Sequence, residues 1–257
     1  MFLPFRKLAL PLVAAAAVFA AAPALAQQNF SDPQKREIEK IVREYLLKNP
    51  EVLQEVVAEL EKRQQQAEAD RHKGAIAENR DKIFNSKHQV VLGNPKGDIT
   101  LVEFFDYNCG YCKRALADKI ELMKSDPKLR IVIKEFPVLG PGSIEAASVS
   151  IAARMQDPSG QKYFDFHQKL LMGRGQADRT RALAVARESG FDMARMEKDL
   201  QSPEVKASLE EVMQLAEALG INGTPSYVVG SSVTAGAVGV AALRQQVDAA
   251  RKGTAKR

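Results

Sequence analysis

The chain is poor in the residues that build metal centres and covalent staples. Its 257 residues include two cysteines, three histidines and no tryptophan. Two cysteines exclude the multi-bridge framework of small secreted domains. His72, His88 and His167 are scattered without ligand spacing, and a structural zinc site takes about four protein ligands, so the sequence offers no such site. Charge of one sign is lacking too. Thirty-seven basic against 32 acidic side chains leave a net +5, which argues against a nucleic-acid partner. Long apolar runs are also scarce. The stretch Leu8 to Phe19 is Ala-rich, broken by Pro11 and shorter than the roughly 20 residues that span a bilayer. It follows Arg6 and Lys7 and precedes Ala24-Leu25-Ala26. Residues 1–26 therefore read as a signal peptide, cleaved after Ala26, and the mature chain as a soluble protein exported to the periplasm. Cleavage removes two cations and no acid, so the net charge falls from +5 to +3.

Beyond the leader the chain divides in two. Residues 27–84 are highly charged, nearly free of glycine and rich in helix formers. Ser31 or Asp32 caps a helix with Pro33 in its first turn. Ile38, Ile41, Val42, Tyr45 and Leu46 recur with helical spacing until Asn49-Pro50 breaks the helix. Val52, Leu53, Val56, Val57 and Leu60 line a second helix, and "EKRQQQAEADRHKGAIAENRDK" continues it as a solvated helix or linker. Two apolar stripes on a polar spacer call for a partner surface, and the same helices of other protomers supply one. The region is read as an oligomerisation segment, with a trimer favoured and a dimer next.

A domain over residues 85–257 comes after it, its α/β core lying entirely after Val90. "QVVLGNPKGDITLVEFFDYN" holds a short strand, a turn and a buried strand through Phe105. "KRALADKIELMKS" has helical periodicity and "LRIVIKEFP" is a third strand closed by Pro137, so strand, helix and strand form a βαβ unit. Residues from about 143 to 219 are helical throughout. "PSYVVGSSVTAGAVG" then returns as a hairpin before a last helix that carries Leu243 and Val247. The fold class is α/β with an inserted helical domain.

Cys109 and Cys112 stand at the start of the helix after the second strand. A bridge between them closes almost no loop and stabilises little. A thiolate at a helix N-terminus is stabilised by free amides and by the dipole, and a second sulfur three residues on can attack a mixed disulfide made by the first. The pair is therefore read as a redox centre, with Cys109 the exposed, low-pKa thiol. A copper(I) half-site through two thiolates is the competing reading. His167, in "YFDFHQKLL", is read as packed on a helix face without a marked partner.

These features together resemble the DsbA-like branch of the thioredoxin superfamily. The insertion after the βαβ unit is similar to that branch, and Thr224-Pro225 precedes the strand "SYVV" where the superfamily places a cis-proline facing the cysteines. Glu103, six residues before Cys109, matches the acid held beneath the resolving cysteine. The dipeptide Gly110-Tyr111 and the residue Thr224 resemble the DsbC isomerases, and with the N-terminal helices the whole is most similar to the ScsC (suppressor of copper sensitivity) group.

The resemblance implies a thioredoxin-like fold and a thiol:disulfide oxidoreductase with no cofactor beyond the Cys109–Cys112 disulfide. Cys109 is the implied nucleophile, Cys112 the resolving thiol and Glu103 the group that moves its proton. Gly110, Tyr111, Thr224 and Pro225 shape the substrate groove, and Lys134 is a weak candidate for influence on Glu103. The implied partners are unfolded or misoxidised exported proteins and a membrane redox partner. Isomerase or reductase is the favoured activity, a plain DsbA-like oxidase the alternative, and a copper-binding or chaperone-type protein the alternative of another class.

Overall fold

The computed structural model describes residues 30–157 and 159–254. The expected leader lies outside the described residues. The described residues form two compact units that divide between Glu59 and Leu60.

The first unit holds helix α1 (Asp32–Lys48) and the start of α2 (Glu51–Glu78). The Ser31 amide donates to Gln34 Oε1 at 2.9 Å, which closes the first turn of α1. The helix stops at Asn49-Pro50 as the proline dictates, and the Asn49 amide and side chain both donate to the Tyr45 carbonyl. Ile38, Ile41, Val42 and Tyr45 remain 41–58 % exposed. Leu53, Val56 and Val57 of α2 are similarly open.

In the second unit five strands form one mixed sheet: β1 (Val90–Gly93), β2 (Ile99–Phe105), β3 (Leu129–Glu135), β4 (Ser226–Val229) and β5 (Ser232–Ala235), in the order β1-β3-β2-β4-β5. Among these strands only β2 and β3 are parallel, because α4 (Gly110–Ser125) carries the chain back over the sheet between them. After β3 come α5 (Pro141–Gln156), α6 (Gln161–Met172), α7 (Arg179–Glu188), α8 (Met193–Asp199) and α9 (Pro203–Ala218), which form the helical insertion, and α10 (Val240–Thr254) ends the fold.

Side chains of a strand alternate between its faces. Ile99, Leu101 and Phe105 of β2, with Leu129, Ile131 and Ile133 of β3, join a core that takes in α4, α6 and α10. Val102, Phe104 and Val132 point the other way, onto Val212, Leu215 and Leu219. Both faces are covered, so each central strand reads as a continuous apolar run interrupted by the few residues that carry chemistry.

The second face corrects the sequence-based boundary at residue 85. Beyond Leu60 the α2 helix is solvated as expected, but Ile76 near its end is 3 % exposed. Ile83 of α3 (Arg80–Phe84) is fully buried, and both belong to the core with Val102, Phe104 and Val228. Polar bonds reinforce this. Lys134 Nζ donates to the Lys82 carbonyl at 2.8 Å, Arg130 Nη1 to the Phe84 carbonyl at 2.7 Å and Gln89 Nε2 to the same oxygen at 2.8 Å. Two apolar residues seven apart in a charged helix are too sparse a signal to mark a core by periodicity.

Ile83→Ala should therefore lower stability by about 2–5 kcal/mol in denaturant unfolding, the range for a buried isoleucine. A chain starting at Val90 should unfold at lower denaturant than one starting at Glu68, since it removes Ile76 and Ile83 from one sheet face and leaves the Lys134 and Arg130 donors without their acceptors. Equal midpoints would show that this strap, the end of α2 together with α3, contributes nothing.

Candidate active site

The turn after β2 carries the first cysteine into the N-cap of α4. There the Cys112 amide donates to Cys109 Sγ at 3.4 Å, and Cys109 Sγ lies 3.1 Å from the Thr224 carbonyl. Thr224-Pro225 is a cis peptide that leads into β4. Both cysteines are free thiols. Cys112 is fully buried, and Cys109, expected to be exposed, is only 5 % exposed because the Thr224 turn leans over its sulfur. Gly110 and Tyr111 do face solvent: Tyr111 is 58 % exposed, with the Arg114 guanidinium 4.2 Å above its ring.

The two thiols differ sharply in proton affinity. A hydrogen bond from the Cys112 thiol, helped by the Thr224 side chain and the Cys112 and Tyr111 amides, outweighs burial and lowers Cys109 to about 5. The same bond, then burial, then the charge of Glu103 push Cys112 far above the ordinary thiol range. One sulfur is a thiolate at neutral pH and the other holds its proton.

Glu103 lies beneath them, 1 % exposed. It sits in β2 on the face that carries Leu101 and Phe105, opposite Tyr227 of β4. Lys119 Nζ donates to its Oε2 at 2.6 Å, and both side chains are almost entirely out of water. Lys119 is seven residues beyond Cys112, two helical turns along one face, and that spacing is the signal by which the sequence announces it. Lys134 does not reach Glu103. It pairs with Phe104 in the β2–β3 ladder and bonds Lys82 on the other face, where burial lowers it to about 8. His167 also departs from its reading: it is buried, with Tyr107 OH 3.2 Å from Nδ1 and Lys119 Nζ 3.2 Å from Nε2.

Asp106 and Asn108, not singled out by motif, build the turn. Asp106 accepts from the amides of Asn108, Val138 and Leu139 and from Ser143 Oγ, all within 3.0 Å. Asn108 bonds the Ala177 amide and carbonyl and Ser143 Oγ. The cysteine turn is thus tied to the helical insertion, and the tie leaves Val138 and Leu139 open at the surface.

Alkylation of reduced protein should follow a single ionisation near pH 5 and label Cys109 alone. In Cys112→Ala that ionisation should move up, because its largest stabilising contact is gone. An unchanged profile would assign the low value to the helix terminus instead.

Comparison with known proteins places this geometry. Residues 100–248 match the DSBA-like thioredoxin domain, and residues 34–67 match the copper resistance protein ScsC N-terminal domain. A thioredoxin-like oxidoreductase from Silicibacter pomeroyi DSS-3 is 47 % identical with a TM-score of 0.64, covering 68 % of this chain and 98 % of that one. A linker-deletion variant of Proteus mirabilis ScsC is 25 % identical with a TM-score of 0.65 and covers 88 % and 98 %. Among curated relatives the Na(+)/H(+) antiporter NhaA of Herminiimonas arsenicoxydans is 28 % identical over 165 residues, 64 % of this chain. The match spans only 26 % of the antiporter's length. With the family match covering more than half of its residues and the cysteine turn built as described, the chain belongs to the DsbA-like thioredoxin-domain family of thiol-disulfide oxidoreductases and carries a ScsC-type N-terminal segment.

Proposed function

We propose that the protein is a periplasmic thiol:disulfide oxidoreductase that isomerises or reduces wrong disulfides in exported proteins, working as a homo-oligomer. The observation that carries the chemistry is the opposed proton affinity of Cys109 and Cys112. With an ionisation near 5, Cys109 is about 99 % thiolate at pH 7, ready to attack without a separate base.

The Cys109 thiolate attacks one sulfur of a substrate disulfide. A Cys109–substrate bond forms, the substrate S–S bond breaks, and the departing thiolate takes a proton from solvent. A second substrate thiolate can then displace Cys109, which completes isomerisation with no net electron transfer. Alternatively Cys112 gives its proton to Glu103 and attacks Cys109 Sγ, so the Cys109–Cys112 disulfide forms and the substrate leaves reduced by two electrons. A membrane redox partner returns the pair to the dithiol. That dithiol is favoured, since stabilising the Cys109 thiolate stabilises the reduced form. The Cys109–Cys112 disulfide is the only redox group this scheme needs. Gly110, Tyr111 and Pro225 border the groove, and the Thr224 backbone can pair with an extended substrate strand.

Isomerisation needs an unfolded chain held through several exchanges, which linked catalytic domains provide by raising effective concentration. The open apolar faces of α1 and α2 support such linkage through other copies, a trimer first and a dimer second. The proposed division is a leader over 1–26, an arm that ends upstream of Ile76, and a catalytic domain to the C-terminus.

A chain starting at Glu68 should be a monomer by light scattering, retain dithiol oxidation and reduction, and lose most of its activity on a scrambled disulfide protein. Undiminished isomerisation would show that linkage through the arm is not what the activity needs, and no isomerisation by the full-length chain would leave the plain oxidase as the function. Thr224→Val should raise the Cys109 ionisation by removing a hydrogen bond worth about 0.5–1.5 kcal/mol. That destabilises the reduced form, so the reduction potential should become more negative by up to roughly 30 mV. An unmoved potential would separate the Thr224 side chain from the sulfur.

A further inference from the structure

The polar groups under Cys112 do not end at the ion pair. Lys119 Nζ also meets His167 Nε2 at 3.2 Å. His167 Nδ1 meets Tyr107 OH at 3.2 Å, Tyr107 OH meets Ser150 Oγ at 2.8 Å, and Ser150 Oγ meets Glu135 Oε1 at 2.9 Å. Tyr163 OH bonds the same Glu135 oxygen at 2.6 Å. Every member is buried. One buried carboxylate is thus connected to another through the imidazole.

The direction of this chain follows from its donors. An ammonium has only hydrogens to offer, so Nε2 must accept and the ring proton must sit on Nδ1. Nδ1–H then donates to the Tyr107 oxygen, which donates its own proton to Ser150, and Ser150 donates to Glu135. A protonated ring would set a second N–H against the Lys119 ammonium. Burial and the Lys119 charge accordingly hold His167 well below its ordinary range, and it stays neutral.

We propose that His167 is a positioning residue for the resolving step: its Nε2 lone pair holds the Lys119 ammonium against Glu103 beneath Cys112. The inference rests on the reading of Glu103 as the acceptor of the Cys112 proton. Among the described residues Glu103 Oε1 has no hydrogen-bond partner, so the Oε2 contact with Lys119 is what sets the carboxylate's position. Four carbons separate that ammonium from its backbone, and the imidazole is what limits its swing. A merely space-filling role would need no nitrogen here, since Phe105, Tyr163 and Phe164 already pack around the ring at 4.7–6.2 Å. The charged and titratable groups that face His167 are Lys119 from α4, Glu103 from β2 through Lys119, Tyr107 from the turn, and Tyr163 with Glu135 behind it.

The test follows reaction of the reduced full-length chain with oxidised glutathione from pH 5 to 9, which separates Cys109 attack from resolution by Cys112. In His167→Phe, resolution at pH 7 should slow about tenfold, a fraction of what proton transfer contributes, while Cys109 alkylation keeps its rate and pH profile. His167→Gln, which can present an oxygen to Lys119, should recover to within about threefold of the native rate on the same scale. A native rate in His167→Phe, no recovery in His167→Gln, or equal slowing of Cys109 alkylation would each overturn the proposal. If His167→Phe does not fold by circular dichroism, Tyr107→Phe decides, because it leaves the Nδ1 proton without its acceptor and frees the ring to turn from Lys119; resolution at the native rate there overturns the proposal. Glu103→Gln separates the two readings. Slow resolution in Glu103→Gln with a native rate in His167→Phe overturns the role of His167 and leaves Glu103 standing. A native rate in Glu103→Gln removes Glu103 as the acceptor and overturns the proposal with it, whatever His167→Phe shows.

Discussion

A carboxylate and an ammonium 2.6 Å apart, both sealed from water, anchor the chemistry of this fold. Removing either partner of a buried pair leaves a charge with no compensation, a loss of about 3–5 kcal/mol. The pair therefore constrains its surroundings. It requires β2 to turn one charged side chain into an apolar face between Leu101 and Phe105, and α4 to bring Lys119 down onto it. Because α4 also begins at the cysteines, the rotation that seats Lys119 sets where Cys112 points. Cys109 then takes its hydrogen bond from Cys112, so the reactive sulfur depends on the same seating.

Much of this was legible in the sequence wherever a local rule carried it. The runs of β2 and β3, the break at Asn49-Pro50, the helical insertion and the placement of Cys112 in the first turn of a helix all follow from period, proline chemistry or capping. Glu103 and Pro225 were reached through family likeness, since nothing in their own neighbourhood marks them. The sequence was silent where a contact joins distant segments. Asp106 reaches Val138 and Leu139, and His167 reaches Lys119, across separations that no periodicity encodes. Lys134 shows the opposite error. It is near Glu103 in the sheet register, but the strand alternates and places the two on opposite faces.

The insertion is a structural part of the site. Ser143 at the head of α5, Ala177 before α7 and His167 of α6 all bond residues of the cysteine turn or the pair beneath it. Its helices thereby hold the turn in register while Tyr111, Val138 and Leu139 stay exposed at the surface. Polar bonds thus lie behind the sulfurs and exposed apolar side chains lie around them.

The short helix that ends at Phe84 has its last carbonyl satisfied by both Arg130 and Gln89, while Lys134 holds the Lys82 carbonyl. Cations at a helix C-terminus complement its dipole, and here they also fill space beneath the sheet. Chimaeras that exchange arms between relatives are limited by this. A junction upstream of about residue 70 carries the native strap with the catalytic body, by the same boundary logic that puts domain edges in exposed, contact-poor stretches. A junction at the start of β1 is the natural choice on topology alone, yet it would hand Lys134 and Arg130 to a foreign helix whose carbonyls lie elsewhere. The transferable module is thus the sheet together with its strap.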